Sequence, residues 1–490
     1  MLPRSFSFRA NLAFNLAGAS LPLAASLITT PLYLARIGQG RYGVLALIWL
    51  LFGYFGLFDL GLSQATTNLM ARTENRAPAR QQEILWTASL MNALLGLIGG
   101  LAFLLAGDLV LERLIGIPTE LRGEVRAAMP WVASLVSLSI LSAVFAGTLE
   151  SAQRFLELNA IQALGAVTVQ VVPLLAVMHW GPRIEVAAAA TAASRLATML
   201  PICLLAVRQT GARTIPPFDR RIAVSLFRFG GWLTVSNIVG PILVSIDQFL
   251  IASTRGVASL PYYSIPSNLA SRILMLPGAM TRALFPALST LDPSAARRRT
   301  EAVMSTLSVA LLAICGALIL LAHQALQLWL GAPFAAQSSV IARTVLLGIW
   351  INGIAYLPAV YLQSAGRPRV IAALHVIELV PFCLMLYLAL HWLGLLGAAI
   401  AWSLRVLTDA VLLVRVARLS HRAIAALAVP GALLLIAYAV SFRLQTSATA
   451  SLTAALGLLV ASVAYGASFD PELARLTRQL RPRWPSRSLP

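Results

Sequence analysis

Lysine is absent from all 490 residues; the 37 basic side chains are arginines. That removes the lysine with which a P-loop reaches nucleotide phosphates and the amine a Schiff-base enzyme needs. Neither a built-in ATPase motor nor lysine-based covalent catalysis is therefore expected. Charge of either sign is scarce, at 11% of residues against roughly 25% in soluble domains. Cysteine occurs three times, at Cys203, Cys315 and Cys383, far apart and each inside an apolar run. That spacing matches no metal site or disulfide framework; small buried hydrophobes are the expectation, and no metal or cofactor is anticipated. A sizeable soluble domain is also missing. The longest stretch outside apolar runs is the tail after Gly466, ending RPRWPSRSLP, and such a segment reads as disordered at a membrane surface.

What the chain does have is apolar length. Hydrophobic residues make up 59% and the mean hydropathy is +0.81, so lipid must be the solvent for much of the surface. Spanning segments satisfy their own backbone groups as helices or closed barrels. Barrel strands alternate over about ten residues, whereas this chain runs apolar for lengths that cross a ~30 Å core as helices. The expected fold is all-α, with about fourteen transmembrane helices near 11–34, 42–63, 84–107, 128–149, 159–179, 185–207, 229–253, 261–290, 303–323, 336–362, 370–391, 394–416, 424–442 and 449–466. The N-terminal run after Arg9 is too long for a signal peptide core and reads as an uncleaved first span. The expected organisation is a six-helix lobe (1–222), a second six-helix lobe (223–422), two further spans (423–466) and a basic tail (467–490).

The net charge of +19 is read as topology rather than as a nucleic-acid surface. With the N-terminus inside, alternate loops and the two ends hold 24 of the arginines and the opposite loops hold 8. That bias places both termini in the cytoplasm; Arg36 and Arg41 violate it locally. A weak repeat relates the first span, from Asn15, to the seventh, from Asn237: each has Asn, Gly three residues on, then Pro. An offset of six spans preserves orientation, as in parallel-repeat transporters; chance similarity between apolar helices is the competing explanation. Gly96 and Gly100 in the third span fit close helix packing.

Charges inside the spans carry the sharpest signal. They are Asp59, Arg195, Asp247, Arg272, Arg282, Arg343, His375, Glu378, Arg405 and Asp409. Each costs roughly 2.5–3.5 kcal/mol at helix centre, so such groups face a cavity or a partner. Arg405 and Asp409, four residues apart, are expected to neutralise each other. His375 and Glu378 share a face, either as a proton relay or as a satisfied polar cluster. Asp247 is a candidate partner for Arg272, which falls roughly 16 Å into its span; Asp59 falls near a span end. Asp247, Glu378, His375 and Asp59 form the expected ion-coupling set. Arg272, Arg282, Arg195 and Arg343 form the expected substrate-binding set, because guanidinium forks grip phosphate and stay charged when desolvated.

The opening TTPLYLARIGQGRYGVLALIWLLFGYFGLFDLGLSQA, the segment IDQFLIAS (246–253) and the segment LPYYSIPSNLASRILMLPGAMTRALFPALS (260–289) resemble bacterial polysaccharide flippases. These belong to the multidrug/oligosaccharidyl-lipid/polysaccharide exporter superfamily. The resemblance implies a flippase for O-antigen or exopolysaccharide precursors in the cytoplasmic membrane. It would move an undecaprenyl-pyrophosphate-linked oligosaccharide by alternating access of two lobes around a cationic cavity. It also implies a polysaccharide polymerase and glycosyltransferases as partner enzymes, and Arg272 as the leading substrate contact. The two last spans resemble those of lipid II flippases, which help hold the lipid tail. An ion-coupled multidrug or small-cation antiporter of the same superfamily is the alternative, drawing on Asp247 or Glu378. A membrane-embedded glycan enzyme ranks below both, because the longest outer loop, about 108–127, has no His, no Ser–His pair and no metal cluster.

Overall fold

The computed structural model describes residues 8–54, 61–73, 78–109, 117–211 and 216–469. Asp59, the 467–490 tail beyond Phe469, and the side chains of Asn15 and Asn237 fall outside what is described. The described residues are helical with no strand, in fifteen helices. Ten of these are long and apolar enough to cross a membrane. Two of the ten are double: α1 (Phe8–Tyr54) breaks at Gly38 and α12 (Pro368–Val416) breaks at Gly394. Both glycines have φ above +60°, a backbone that residues with a Cβ rarely adopt. Together with α7 (Arg220–Arg255) and an interrupted eighth span, the count agrees with the roughly fourteen spans expected from hydropathy. Leu105, Val380 and Trp392 are 78%, 74% and 81% exposed, which only a lipid surround makes favourable.

The chain divides into two compact units, Met1–Pro261 and Tyr262–Pro490. In the first, α3 (Pro78–Leu109) packs on α4 (Thr119–Ser151), and α4 and α5 (Phe155–Trp180) pack on α6 (Ile184–Thr210). The short α2 (Leu62–Arg72) lies on α4 and α7, which is why α7 belongs with this unit. A Cβ on Gly96 would stand 2.7 Å from the Ser137 Cα, and one on Gly100 3.0 Å from the Ala133 carbonyl oxygen. The Gly96–Gly100 pair is thus the close-packing seam its spacing suggests.

Polar residues tie the ends of this unit. Arg41, just past the Gly38 break, grips Glu124 of α4 with Nε 2.9 Å from Oε2 and Nη2 2.6 Å from Oε1. The same carboxylate accepts from the Ile184 N–H at the start of α6, at 3.1 Å. Arg36 donates to the Met178 carbonyl in the last turn of α5, at 3.2 Å, where a helix leaves carbonyls unsatisfied. The two arginines that offend the charge bias are therefore structural ties. At the opposite ends of these helices Arg80 bridges Glu83 and Asp219 at 2.7 and 2.9 Å, and Asp219 caps α7 through the Arg221 and Ile222 N–H groups. The helix-end N–H of Ile222 and the Arg80 guanidinium hold the Asp219 carboxyl below the usual carboxylate range.

In the second unit α8 (Leu260–Ser271) and α9 (Met275–Thr290) precede α10 (Pro293–Leu330) and α11 (Ala332–Ser364). Asp292 caps α10, accepting from the Ser294 and Ala295 N–H groups at 3.0 Å, with Pro293 in the first turn where its missing N–H costs nothing. The Trp350 indole of α11 donates to the Ser308 carbonyl of α10 at 2.9 Å, and Ser403 of α12 donates to the Thr344 carbonyl at 3.0 Å. Glu301 accepts from Ser420 N–H at 2.7 Å, seating the short α13 (His421–Ala425). The last helices, α14 (Ala428–Leu444) and α15 (Ala448–Phe469), both lie on α10.

The glycine seam yields opposed outcomes. Gly96→Ala must displace backbone and is expected to cost about 1–3 kcal/mol. Gly457→Ala on α15, with nothing within 4 Å, should gain up to about 1 kcal/mol from helix propensity. Thermal unfolding of the two purified variants checks the pair; equal shifts would count against the packing described.

Candidate functional site

The span containing the two leading arginines is not a continuous helix. It reads as α8, a 3₁₀ turn over Arg272–Leu274, and then α9. Pro266 and Pro277 flank the turn, and each removes a backbone donor. Mid-helix 3₁₀ stretches mark hinges or strain, and at membrane depth irregular backbone is tolerated where protein buries it or where it lines water. Arg272 stands at this break with its side chain exposed, and Arg282 is exposed on α9. Arg282 lies beside Tyr356 of α11: a Cβ built on Gly278 would meet its Nη1 at 3.8 Å and the Tyr356 ring at 3.9 Å. Among the described residues of the second unit, no carboxylate pairs with either guanidinium.

The other two arginines sit differently. Arg343 is fully enclosed, at 0% exposure, with its guanidinium carbon 4.9 Å from the Phe442 ring centroid on α14. No hydrogen-bond acceptor reaches its Nε, Nη1 or Nη2. The aromatic face replaces an anion here, and the side chain joins α11 to α14 rather than standing open as Arg272 and Arg282 do. Arg195 is half-buried on α6 in the first unit; its neighbour Ser194 donates to the Ala190 carbonyl of its own helix at 2.8 Å. The four arginines are therefore not gathered at one point within either unit: Arg195 belongs to the first and the other three to the second.

The acidic set regroups. Asp247 is 4% exposed on α7, and one of its oxygens accepts the Gln248 N–H at 2.7 Å. It belongs to the first unit and Arg272 to the second, so their expected pairing is not a feature of either. On α12 the fold at Gly394 brings the two legs together, and His375 Nε2 lies 3.8 Å from Asp409 Oδ1. Glu378 and Asp409 are 6% and 7% exposed. Arg405 places its guanidinium carbon 5.5 Å from the Phe382 ring centroid. The fold at Gly394 adds His375 and Glu378 of the first leg to the expected Arg405–Asp409 neighbours of the second, giving a four-residue cluster across the hairpin. Glu378 Oε1 and Oε2 and Asp409 Oδ1 have no hydrogen-bond partner.

The first unit also holds an open groove of about 880 Å³ between α4, α5 and α6, walled by Trp131, Leu138, Trp180, Leu196 and several alanines. Arg183 at its edge is engaged by Glu185 at 2.8 Å, so the groove is apolar in character.

Residues 33–339 match the family model for polysaccharide biosynthesis proteins. The chain belongs to that family. It is similar to a Shigella flexneri protein assigned as an O-antigen transporter, with 28% identity over 407 residues, covering 82% of this chain and 96% of the relative. Its fold is shared with the lipid II flippase MurJ in an inward closed conformation, with TM-score 0.72 and 13% identity, over 93% of this chain and 99% of that one. It is likewise shared with an inward-facing multidrug resistance MATE transporter of the MOP superfamily, with TM-score 0.65 and 18% identity, over 83% and 98%. This polysaccharide-family chain is thus a multi-pass bacterial membrane transporter rather than an enzyme.

Different exposure of the arginines predicts different chemistry when each is replaced in a background with Cys203, Cys315 and Cys383 changed to Ala. Arg272→Cys and Arg282→Cys are expected to react with a charged thiol reagent at least about tenfold faster than Arg343→Cys, since the thiolate forms in water and not in an apolar enclosure. Similar rates at all three positions would contradict the environments described.

Proposed function

We propose that this transporter moves a lipid-linked oligosaccharide, carried on undecaprenyl pyrophosphate, from the inner to the outer leaflet of the cytoplasmic membrane for surface polysaccharide assembly. The observation that carries the reading is Arg272, exposed at the 3₁₀ interruption of its span with Arg282 farther along the same span. A phosphate-bearing headgroup cannot cross hydrocarbon unaided, and an exposed guanidinium offers it a charged, bidentate partner. The family match and the Shigella relative support polysaccharide precursors as the cargo class.

In this reading both termini are cytoplasmic, as the arginine bias indicates, and the two halves alternate access to the cargo. A polysaccharide polymerase and glycosyltransferases act before and after it. Coupling to an ion gradient falls to the embedded acids and histidine: Asp247, Glu378 and His375, with Asp59 kept in the set on sequence alone. Arg195 remains a candidate contact for the cargo, whereas the enclosed Arg343 takes a lesser part. The alternative, a multidrug or small-cation antiporter, draws on the MATE-like fold and the buried acids; a deletion strain separates them, losing surface glycan under the first reading and gaining drug sensitivity under the second.

Arg272→Ala is expected to abolish surface glycan in a complementation assay while the protein still inserts at normal level, and Arg272→Lys to restore part of it, because lysine keeps the charge but loses the fork. Unchanged glycan with a well-expressed Arg272→Ala variant would remove Arg272 from the cargo path.

A further inference from the structure

The α12 hairpin holds four ionisable side chains whose charges do not cancel. His375 and Glu378 come from the first leg, Arg405 and Asp409 from the second. Arg405 and Asp409 both bear on His375 and on Glu378, and His375 Nε2 lies 3.8 Å from Asp409 Oδ1. The helix packed along the hairpin is α11. Its one charge, Arg343, is turned to Phe442 of α14, and its other titratable side chains are Tyr356 and Tyr361. The cluster lies roughly 10–15 Å in from the Pro368 and Val416 ends of the hairpin at helical rise.

Arg405 carries +1 and cannot discharge. With both carboxylates ionised and the imidazole neutral, the set has net charge −1 in a buried place. Burial makes an uncompensated charge costly, so the set is cheap only at net zero. Two arrangements reach zero: one carboxylic acid with a neutral imidazole, or two carboxylates with an imidazolium. Both contain one proton more than the fully deprotonated set. The unpartnered oxygens of Glu378, on a side chain more than nine-tenths buried, are where hydrogen-bonding capacity is left open. An alkali cation is the other way to supply +1, but the adjoining guanidinium repels it, hard cations take about six oxygen ligands, and among the described residues no group of His, Cys, Asp and Glu is placed to hold a metal ion.

We propose that His375, Glu378, Arg405 and Asp409 form a one-proton site inside the α12 hairpin, the proton shared among the two carboxylates and the imidazole, and that its release and uptake couple transport to a proton gradient. The coupling role rests on the transporter reading; the site itself does not. One proton follows from the charge count, and so does the way each substitution changes it. Glu378→Gln or Asp409→Asn leaves one carboxylate against Arg405 and needs no proton. Arg405→Gln leaves two carboxylates without a cation and needs two.

Infrared difference spectroscopy of the full chain in lipid nanodiscs, acid against alkaline buffer, reads protonated carboxyl and imidazolium bands directly. The wild type is expected to show one buried protonated group. Glu378→Gln and Asp409→Asn should each lose it, Arg405→Gln should show two, and His375→Asn should keep one, now as a carboxylic acid. Superimposable spectra for wild type, Glu378→Gln and Asp409→Asn would overturn the proposal. So would loss of the wild-type band on adding sodium chloride at constant pH, which would make the site an alkali-cation site. Arg272→Ala serves as the separating control: its spectrum should match wild type whether or not glycan export survives, so failure of the cargo assignment and failure of the proton site remain distinct.

Discussion

Hydrocarbon offers no hydrogen-bond partners, and this one constraint organises the molecule. Every backbone donor and acceptor has to be met within the chain, so the described residues are helical almost throughout. Hydroxyls follow the same rule. Thr66, Thr148, Thr191 and Thr300 each donate to the carbonyl four residues back and so bring polar atoms into the interior without a demand on any neighbour. Close approach of helices at Gly96 and Gly100 supplies dispersion where no hydrophobic drive exists between helices in lipid. Formal charge is moved to helix ends, where Arg36, Arg41, Arg80 and Asp219 serve as ties and caps rather than as free ions.

This constraint also explains what was legible in the sequence. Span existence is a matter of apolar length, so about fourteen spans follow from hydropathy alone. The break at Gly38 falls in the gap left between the first two apolar runs, and the break at Gly394 falls on the first residue of the run 394–416. The identity of the embedded charges is legible for the same reason, since each stands out against its run. Their partners are not. Helical spacing shows neighbours on one helix, and it suggests Arg405 with Asp409. The further neighbour, His375, is set by the register of two antiparallel legs. Equal legs about Gly394 would oppose His375 to Leu413, one turn beyond Asp409, so a sequence count misses by one turn. The Arg41–Glu124–Ile184 tie was hidden likewise, because it joins residues about sixty and eighty positions apart and shows in sequence only as an arginine in the wrong loop. Nor does composition reveal that a 3₁₀ turn interrupts the eighth span at Arg272, though Pro266 and Pro277 bracket it.

The embedded charges meet three different fates, and the contrast bears on function more than their number does. Arg343 is enclosed and faces an aromatic ring, which satisfies a guanidinium electrostatically while offering nothing to a ligand. Arg272 and Arg282 are exposed along a broken span, where a guanidinium keeps its hydrogen-bonding fork free. Glu378 and Asp409 are enclosed with oxygens left open. Sequence position places all of these alike, as charges inside apolar runs; only the surroundings separate an enclosed guanidinium from exposed ones and from buried carboxylates with open oxygens.

The absence of lysine sharpens that last distinction. A buried lysine can give up its proton and become neutral, so in an ordinary chain a cationic cluster has its own escape from the cost of burial. An arginine has none. In a span whose cation is Arg405, the change of charge must fall on the acids and the imidazole, and the fixed positive charge sets how many protons they hold. Under the proposed cargo reading, the same residue type suits Arg272 to a phosphate-bearing headgroup, which a guanidinium fork can grip at two points. On the two proposals together, arginine would meet the cargo while a separate set of acids and a histidine would take up and release the proton.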